Sequence, residues 1–136
     1  MRILGIDYGD VRIGIAVSDI TGLIAQSVGV ISEKDDSNKV KSLEEYINMY
    51  KPEKIVLGYP LNMNGTIGER AEKSLKFKEE LEKFYNIPVI LWDERLSSIA
   101  AHRVLEETGV SGKKRKGKVD PIAAAFILQS YLDSRI

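Results

Sequence analysis

An aspartate inside an apolar hairpin constrains this chain more than any other feature. The stretch ILGIDYGDVRIGIAVSD, from Ile3 to Asp19, sets Asp7 in a run with the composition of a central strand, and Gly9-Asp10 then turns the chain back through Ile13, Ile15, Ala16 and Val17. A carboxylate placed among aliphatic side chains is costly unless a cation or hydrogen-bond donors satisfy it. Asp7 therefore serves either the turn, by bonding its backbone as aspartates often do, or a metal or phosphate site. Asp19, at the close of the hairpin, reads as a turn residue.

The 136 residues suit one compact domain with a real core. A composition 43% hydrophobic and 29% charged is that of a globular protein rather than a disordered or membrane one. Lys plus Arg and Asp plus Glu both count 20, so attraction to a polyanion must come from local clustering. The absence of cysteine excludes disulfides, thiolate metal sites and cysteine nucleophiles, and the single His102 excludes a multi-histidine metal site. The chain opens directly into strand without the regions of a signal peptide, and no apolar run reaches membrane-spanning length. We therefore expect a cytoplasmic protein with no membrane partner.

Leu23 to Ser32 reads as a third strand completing an antiparallel meander. A helix follows from about Ser37, with Val40, Leu43 and Ile47 on one face, and ends before Pro52. Lys54 to Pro60 is a short buried strand, which a right-handed crossover makes parallel to its neighbour. After the loop Leu61 to Gly68 comes a long amphipathic helix bearing Ala71, Leu75, Phe77, Leu81 and Phe84 on or near one side. Pro88 to Glu94 is the next strand. Ser97 can cap a helix that stops at Gly109, and Asp120 with Pro121 can open a last helix, apolar nearly all round and so buried. The fold class is α/β: a mixed five-stranded sheet, a three-strand antiparallel meander plus two parallel strands, with helices on both faces.

Three acids stand at element ends that such an order could bring together: Asp7, Glu94 and Asp120. Magnesium or manganese takes hard oxygen ligands, and a phosphodiester site needs carboxylates spaced to admit phosphate oxygens and an attacking water. Each acid also has a plainer reading. Asp120 caps a helix, and Glu94 pairs with Arg95 or caps the helix after it. Asp93 competes with Glu94, but alternation lets only one of them face the site, and Glu94 is preferred. Lys113, Lys114, Arg115, Lys116 and Lys118 crowd the loop before Asp120, where they would neutralise phosphates or form a solvated loop. Arg12 and Arg95 are further phosphate candidates, or structural ion-pair partners. Asn62, Asn64 and Thr66 could reach a sugar or base edge, while Gly58, Gly65 and Gly68 suggest a tight loop. His102 reads as an exposed helix residue and Trp92 as core.

The blocks GIDYGDVRIGIAVSD, VLGYPLNMNGT, LWDERLSS and KGKVDPIAAAFILQSYL resemble, in order, the motif set of the YqgF family, and together span nearly the whole chain. A GIDxG hairpin alone also occurs in sugar kinases and actin-like ATPases, where it binds phosphate; four blocks in sequence are specific. The resemblance implies a ribonuclease H-like fold similar to Holliday junction resolvases, and a nuclease for the precursor of 16S ribosomal RNA. It implies that Asp7, Glu94 and Asp120 are the catalytic acids, that they hold Mg2+ or Mn2+, and that a hydrolytic cut leaves a 5′-phosphate. Related resolvases and ribonucleases H usually hold four acids, so Asp93 or a substrate oxygen would complete a two-ion site, or one ion would serve. Branched DNA is the alternative substrate, and a non-catalytic nucleic-acid or ATP-binding module the alternative class. Monomer and homodimer are both open, since a resolvase needs a two-fold dimer to cut paired strands and an RNA-processing enzyme does not.

Overall fold

Alternation along the first strand sorts its side chains onto two faces. Leu4 and Ile6 join one core cluster, and Ile3 joins the other. The structure, a computed structural model, describes residues 2–97 and 119–135, with side chains from 122 onward in the second stretch. The elements are β1 (Ile3–Tyr8), β2 (Arg12–Ser18), β3 (Ala25–Ser32), α1 (Asp36–Ser42), α2 (Glu44–Tyr50), β4 (Lys54–Tyr59), α3 (Glu69–Tyr85) and β5 (Val89–Asp93). A 3-10 turn follows at Glu94–Leu96, and the last helix, labelled α4, is Val119–Ser134.

The five strands form one sheet in the order β3-β2-β1-β4-β5. β1 pairs antiparallel with β2 and parallel with β4, and β4 pairs parallel with β5, so the mixed sheet expected from the element order is the one observed. Helices α1 to α3 cover one face, through Val40, Leu43, Phe77 and Leu81 over Leu4, Ile6, Ile15, Ile55 and Leu57. α4 covers the other, setting Ala123, Ala124, Ile127, Leu128 and Leu132 against Ile3, Ala16 and Val56. Gly5 lets α4 approach: a Cβ there would stand 2.7 Å from the Leu128 Cβ and 3.2 Å from the Ala124 carbonyl oxygen.

Several expectations need correction. The helix foreseen from about Ser37 to just before Pro52 is two helices that meet at Leu43, the cap position they share; Lys51 closes α2 in the left-handed region at φ 47. On α3 it is Ala71, Ser74, Phe77 and Leu81 that are buried, while Leu75 and Phe84 are exposed at 38% and 50%. A true 3.6-residue period admits Ser74 to the inner face ahead of Leu75. β3 starts at Ala25 rather than Leu23, because the Asp19 carboxylate accepts hydrogen bonds from the Leu23 and Ile24 amides and holds them in the turn. Those donors, with the Thr21 hydroxyl foremost, pull the Asp19 carboxyl down to about 2. α4 begins at Val119, which puts Asp120 inside its first turn instead of at the cap position, and Ile122 is 36% exposed, so the helix is not buried all round. The helix expected between Ser97 and Gly109, the basic loop 113–118 and His102 lie outside the described residues.

Beneath the β1–β2 turn lies a fully buried lysine that periodicity did not single out. Lys39 Nζ donates to the Gly9 carbonyl at 3.1 Å and to Asp36 Oδ1 at 2.9 Å, and stands 4.7 Å over the Tyr8 ring. The Tyr8 hydroxyl also donates to Asp36. Burial opposes ionisation of Asp36, but the bonds from Lys39 and Tyr8 prevail and hold its carboxyl below the usual carboxylate range. Burial and the Asp36 bond push the Tyr8 phenol up. Lys39→Met keeps the apolar stem and removes the charge, leaving Asp36 and the Gly9 carbonyl short of a donor. Because Asp36 is partly solvated, a loss of about 2 kcal/mol is expected in urea unfolding, below the range for a fully buried pair.

Candidate active site

The carboxyl ends of the three parallel strands β1, β4 and β5 form one edge of the sheet, the edge at which open α/β sheets place ligands. Asp7 stands there on β1, only 3% exposed. The register Ile6↔Leu57, continued by one step, sets Asp7 beside Gly58, which is itself paired with Trp92 on β5. Gly58 has no side chain to fill the space over its strand, and Glu94 uses it: a Cβ on Gly58 would stand 2.9 Å from Glu94 Oε2 and 2.6 Å from Ile127 Cδ1. The Glu94 carboxylate thus lies over the strand adjacent to Asp7, and it too is buried, at 6%. Gly58 is therefore no loop glycine. Its position within a short apolar strand was the available signal of a close approach.

Local chemistry aims Glu94 inward and Asp93 outward. Trp92 packs with the α4 cluster and Leu91 with the opposite one, so alternation sends Asp93 away from α4. The chain then leaves the strand for a 3-10 turn, capped by Asp93 through the Arg95 amide at 3.0 Å. The Asp93 carboxylate is further engaged by Arg95, from Nε at 3.1 and 3.0 Å and from Nη2 at 2.7 Å, which holds its carboxyl below the ordinary range. Of the two readings of Arg95, the structure displays the ion pair. Its Nη1 also donates to the Met63 carbonyl at 3.4 Å, and the guanidinium covers Gly65, whose φ is +85.

The remaining candidates fall in three groups. Asn62 and Asn64 build the β4–α3 loop: Asn62 Nδ2 donates to Thr66 Oγ1 at 2.9 Å, and Asn64 Oδ1 accepts from the Thr66 amide and hydroxyl. Arg12 is exposed at the start of β2, opposite Ser32. The backbone at Asp120 is in the first turn of α4, seven residues before Ile127. Among the described residues no group of three acids or histidines forms a ready cation site; Asp7 and Glu94 are two carboxylates at one edge.

Sequence reasoning missed the strut that fixes the Glu94 turn. Ser130 on α4 accepts a hydrogen bond from Trp92 Nε1 at 3.0 Å and donates to the Leu96 carbonyl at 3.0 Å, so one hydroxyl joins β5, the turn and the helix. No motif announces such a serine; only the three-dimensional meeting of α4 and β5 reveals it. Ser130→Ala leaves a partly buried indole N–H without its acceptor. The expected loss is about 1–2 kcal/mol in thermal unfolding.

Comparison with known proteins then decides the family. The family described as "RuvX: Holliday junction resolvase" matches residues 1–134. The chain belongs to the RuvX family. This is the YqgF family that the four sequence blocks resemble. A RuvX relative in Geobacillus sp. (strain WCH70) is 50% identical over 137 residues, covering 99% of each chain, and carries the name "Putative pre-16S rRNA nuclease". One from Caldanaerobacter subterraneus subsp. tengcongensis, with the same name, is 48% identical over 136 residues, covering 99% of this chain and 98% of its own. Among solved structures, T. thermophilus RuvC in complex with Holliday junction substrate superposes with a TM-score of 0.58 at 15% identity, covering 99% of this chain and 95% of that one. At that identity the likeness establishes the fold, and the RuvX chain has the ribonuclease H-like architecture of the resolvases.

Proposed function

We propose that this RuvX chain is a divalent-metal-dependent endonuclease that hydrolyses phosphodiester bonds in structured nucleic acid, and that its substrate is the precursor of 16S ribosomal RNA. One observation carries the reading: the buried Glu94 carboxylate lies over Gly58, on the strand next to the buried Asp7, at the carboxyl edge of the parallel strands. The family and the names of its half-identical relatives agree with it.

Asp7, Glu94 and Asp120 are the proposed catalytic acids and metal ligands. Carboxylate oxygens are the hard donors that Mg2+ and Mn2+ prefer, so this donor set fits such an ion. When bound, the ion supplies Lewis acidity toward the phosphate and lowers the pKa of an attacking water. The protein's part is placement. Asp120 stands in the first turn of α4, two helical turns before Ile127, which packs over Gly58, and this supports its proposed role. Asp93, engaged by Arg95, holds the turn that presents Glu94. Lys113, Lys114, Arg115, Lys116 and Lys118, with Arg12, Asn62 and Arg95, are the proposed substrate contacts. Water attacks phosphorus, the bond to the 3′ oxygen breaks, and a 5′-phosphate is left.

Among the described residues no helix is long and apolar enough to cross a membrane, which agrees with a proposed cytoplasmic site of action. The second reading, a resolvase cutting branched DNA as a homodimer, is favoured by the family description and by the likeness to a junction-bound RuvC. Purified protein with magnesium, given labelled pre-16S RNA and a labelled four-way DNA junction, separates the two, and its mass in solution bears on the dimer. Cutting of neither substrate, with RNA binding that survives replacement of all three acids, would make the chain a non-catalytic binding module. Micromolar affinity for magnesium-ATP in a calorimetric titration would revive the nucleotide-binding alternative.

A further inference from the structure

The β1–β2 turn and the start of α3 enclose a cavity of about 260 Å3, lined by Tyr8, Gly9, Asp10, Pro60, Arg70 and Lys73. Its walls follow the carboxyl ends of β1 and β4, so it opens on the sheet edge that carries Asp7, and Tyr8 is the next residue after Asp7. Strand alternation puts it on the α3 side of that edge, whereas Asp7 faces α4. Two cations line it against one acid. Lys73 Nζ is held by Asp10 at 3.1 Å and lies 3.8 Å from Glu69, so Asp10 is already partnered. Arg70 is exposed and, among the described residues, neither an ion pair nor a hydrogen bond claims its guanidinium. The floor is stiff, because the buried Lys39 fixes the Gly9 carbonyl from below.

We infer that this cavity is a subsite for a backbone phosphate adjacent to the one that is cut, with Arg70 as its principal ligand and Lys73 as its second charge. The inference rests on the nuclease reading: a strand whose scissile phosphate lies between Asp7 and Glu94 crosses the sheet edge, and the cavity is the basic recess one residue beyond it. Guanidinium suits the task, since it binds two phosphate oxygens at once and is more weakly hydrated than an ammonium. Asp10 keeps Lys73 at the wall until phosphate competes for it.

The test uses the full-length protein in EDTA, so that binding is read without cleavage, with a labelled stem-loop RNA and a labelled four-way DNA junction titrated at several salt concentrations. Arg70→Gln and the double variant Arg70→Gln/Lys73→Gln alter exposed side chains, and circular dichroism confirms that both remain folded. Arg70→Gln is expected to bind about tenfold more weakly, and its salt slope to fall by about 1. The double variant should lose more of both, and Arg70→Lys should restore part of the affinity. A methylphosphonate replacing the phosphate beside the cut should weaken the wild type and leave Arg70→Gln unaffected. Loss on one polymer alone assigns the subsite to that polymer. A wild type that cuts with magnesium, while the double variant binds both probes with unchanged affinity and slope, overturns the subsite and leaves the nuclease reading standing. A wild type that binds neither probe overturns both.

Discussion

Asp7→Asn is expected to leave a folded protein whose cleavage rate has fallen at least about a thousandfold. The amide has nearly the shape of the carboxylate, so the packing of Asp7 beside Gly58 persists while the negative charge is lost. A divalent cation discriminates sharply between the two, because a carboxylate offers charge as well as lone pairs and a neutral amide oxygen does not. The two halves of the result separate the roles that Asp7 could have. If the aspartate only served its turn, the substitution would lower the melting temperature and leave metal binding alone. If it serves the ion, calorimetry with manganese should show affinity lost along with activity, with the thermal transition retained. Rates at matched enzyme and saturating substrate, beside a melting curve, decide between them.

Gly58→Ala should produce a comparable split by purely steric means. The new methyl would meet Ile127 Cδ1 at 2.6 Å and Glu94 Oε2 at 2.9 Å, both at the ends of side chains that can swing away. Overpacking of that kind costs about 1–3 kcal/mol, with the lower end expected here because neither contact is to backbone. The Glu94 carboxylate, however, has to vacate its place over β4. A misplacement of about 1 Å in a catalytic group can cost roughly a hundredfold in rate, so activity should fall far more than stability. Single-turnover cleavage and urea unfolding of the same preparation give both numbers. Equal losses of activity and stability would make Gly58 merely a packing residue.

How far the sequence reached can be judged from particular residues. The meander and the parallel crossovers were legible because strands alternate, turns carry Gly and Asp, and a helix between strands imposes its handedness. Asp7 was legible for the opposite reason: it breaks an apolar run that nothing in strand formation explains. Glu94 was separated from Asp93 by alternation, and the structure places its carboxylate over β4 while Arg95 engages Asp93. What escaped depends on neighbours distant in the chain. Gly58 read as a loop glycine because the carboxylate that fills its space is 36 positions later, counting from 58 to 94. Ser130 is an ordinary helical serine until Trp92 and Leu96 come to it. Lys39 was not singled out by helical periodicity, and the Asp36 carboxylate, the Gly9 carbonyl and the Tyr8 ring together make a buried cation tolerable. Leu75 and Phe84 erred the other way, since hydrophobicity marks a residue fit for burial and only the helical phase decides whether it is buried.

Asp7, Glu94 and Asp120 are proposed to hold one divalent ion at the carboxyl edge of the sheet. Anomalous diffraction from crystals soaked in manganese measures this directly. A peak is expected within coordination distance, about 2.0–2.6 Å, of oxygens from Asp7 and Glu94, with the Asp120 carboxylate completing the set. A peak elsewhere on the protein, or none at saturating manganese, would contradict it.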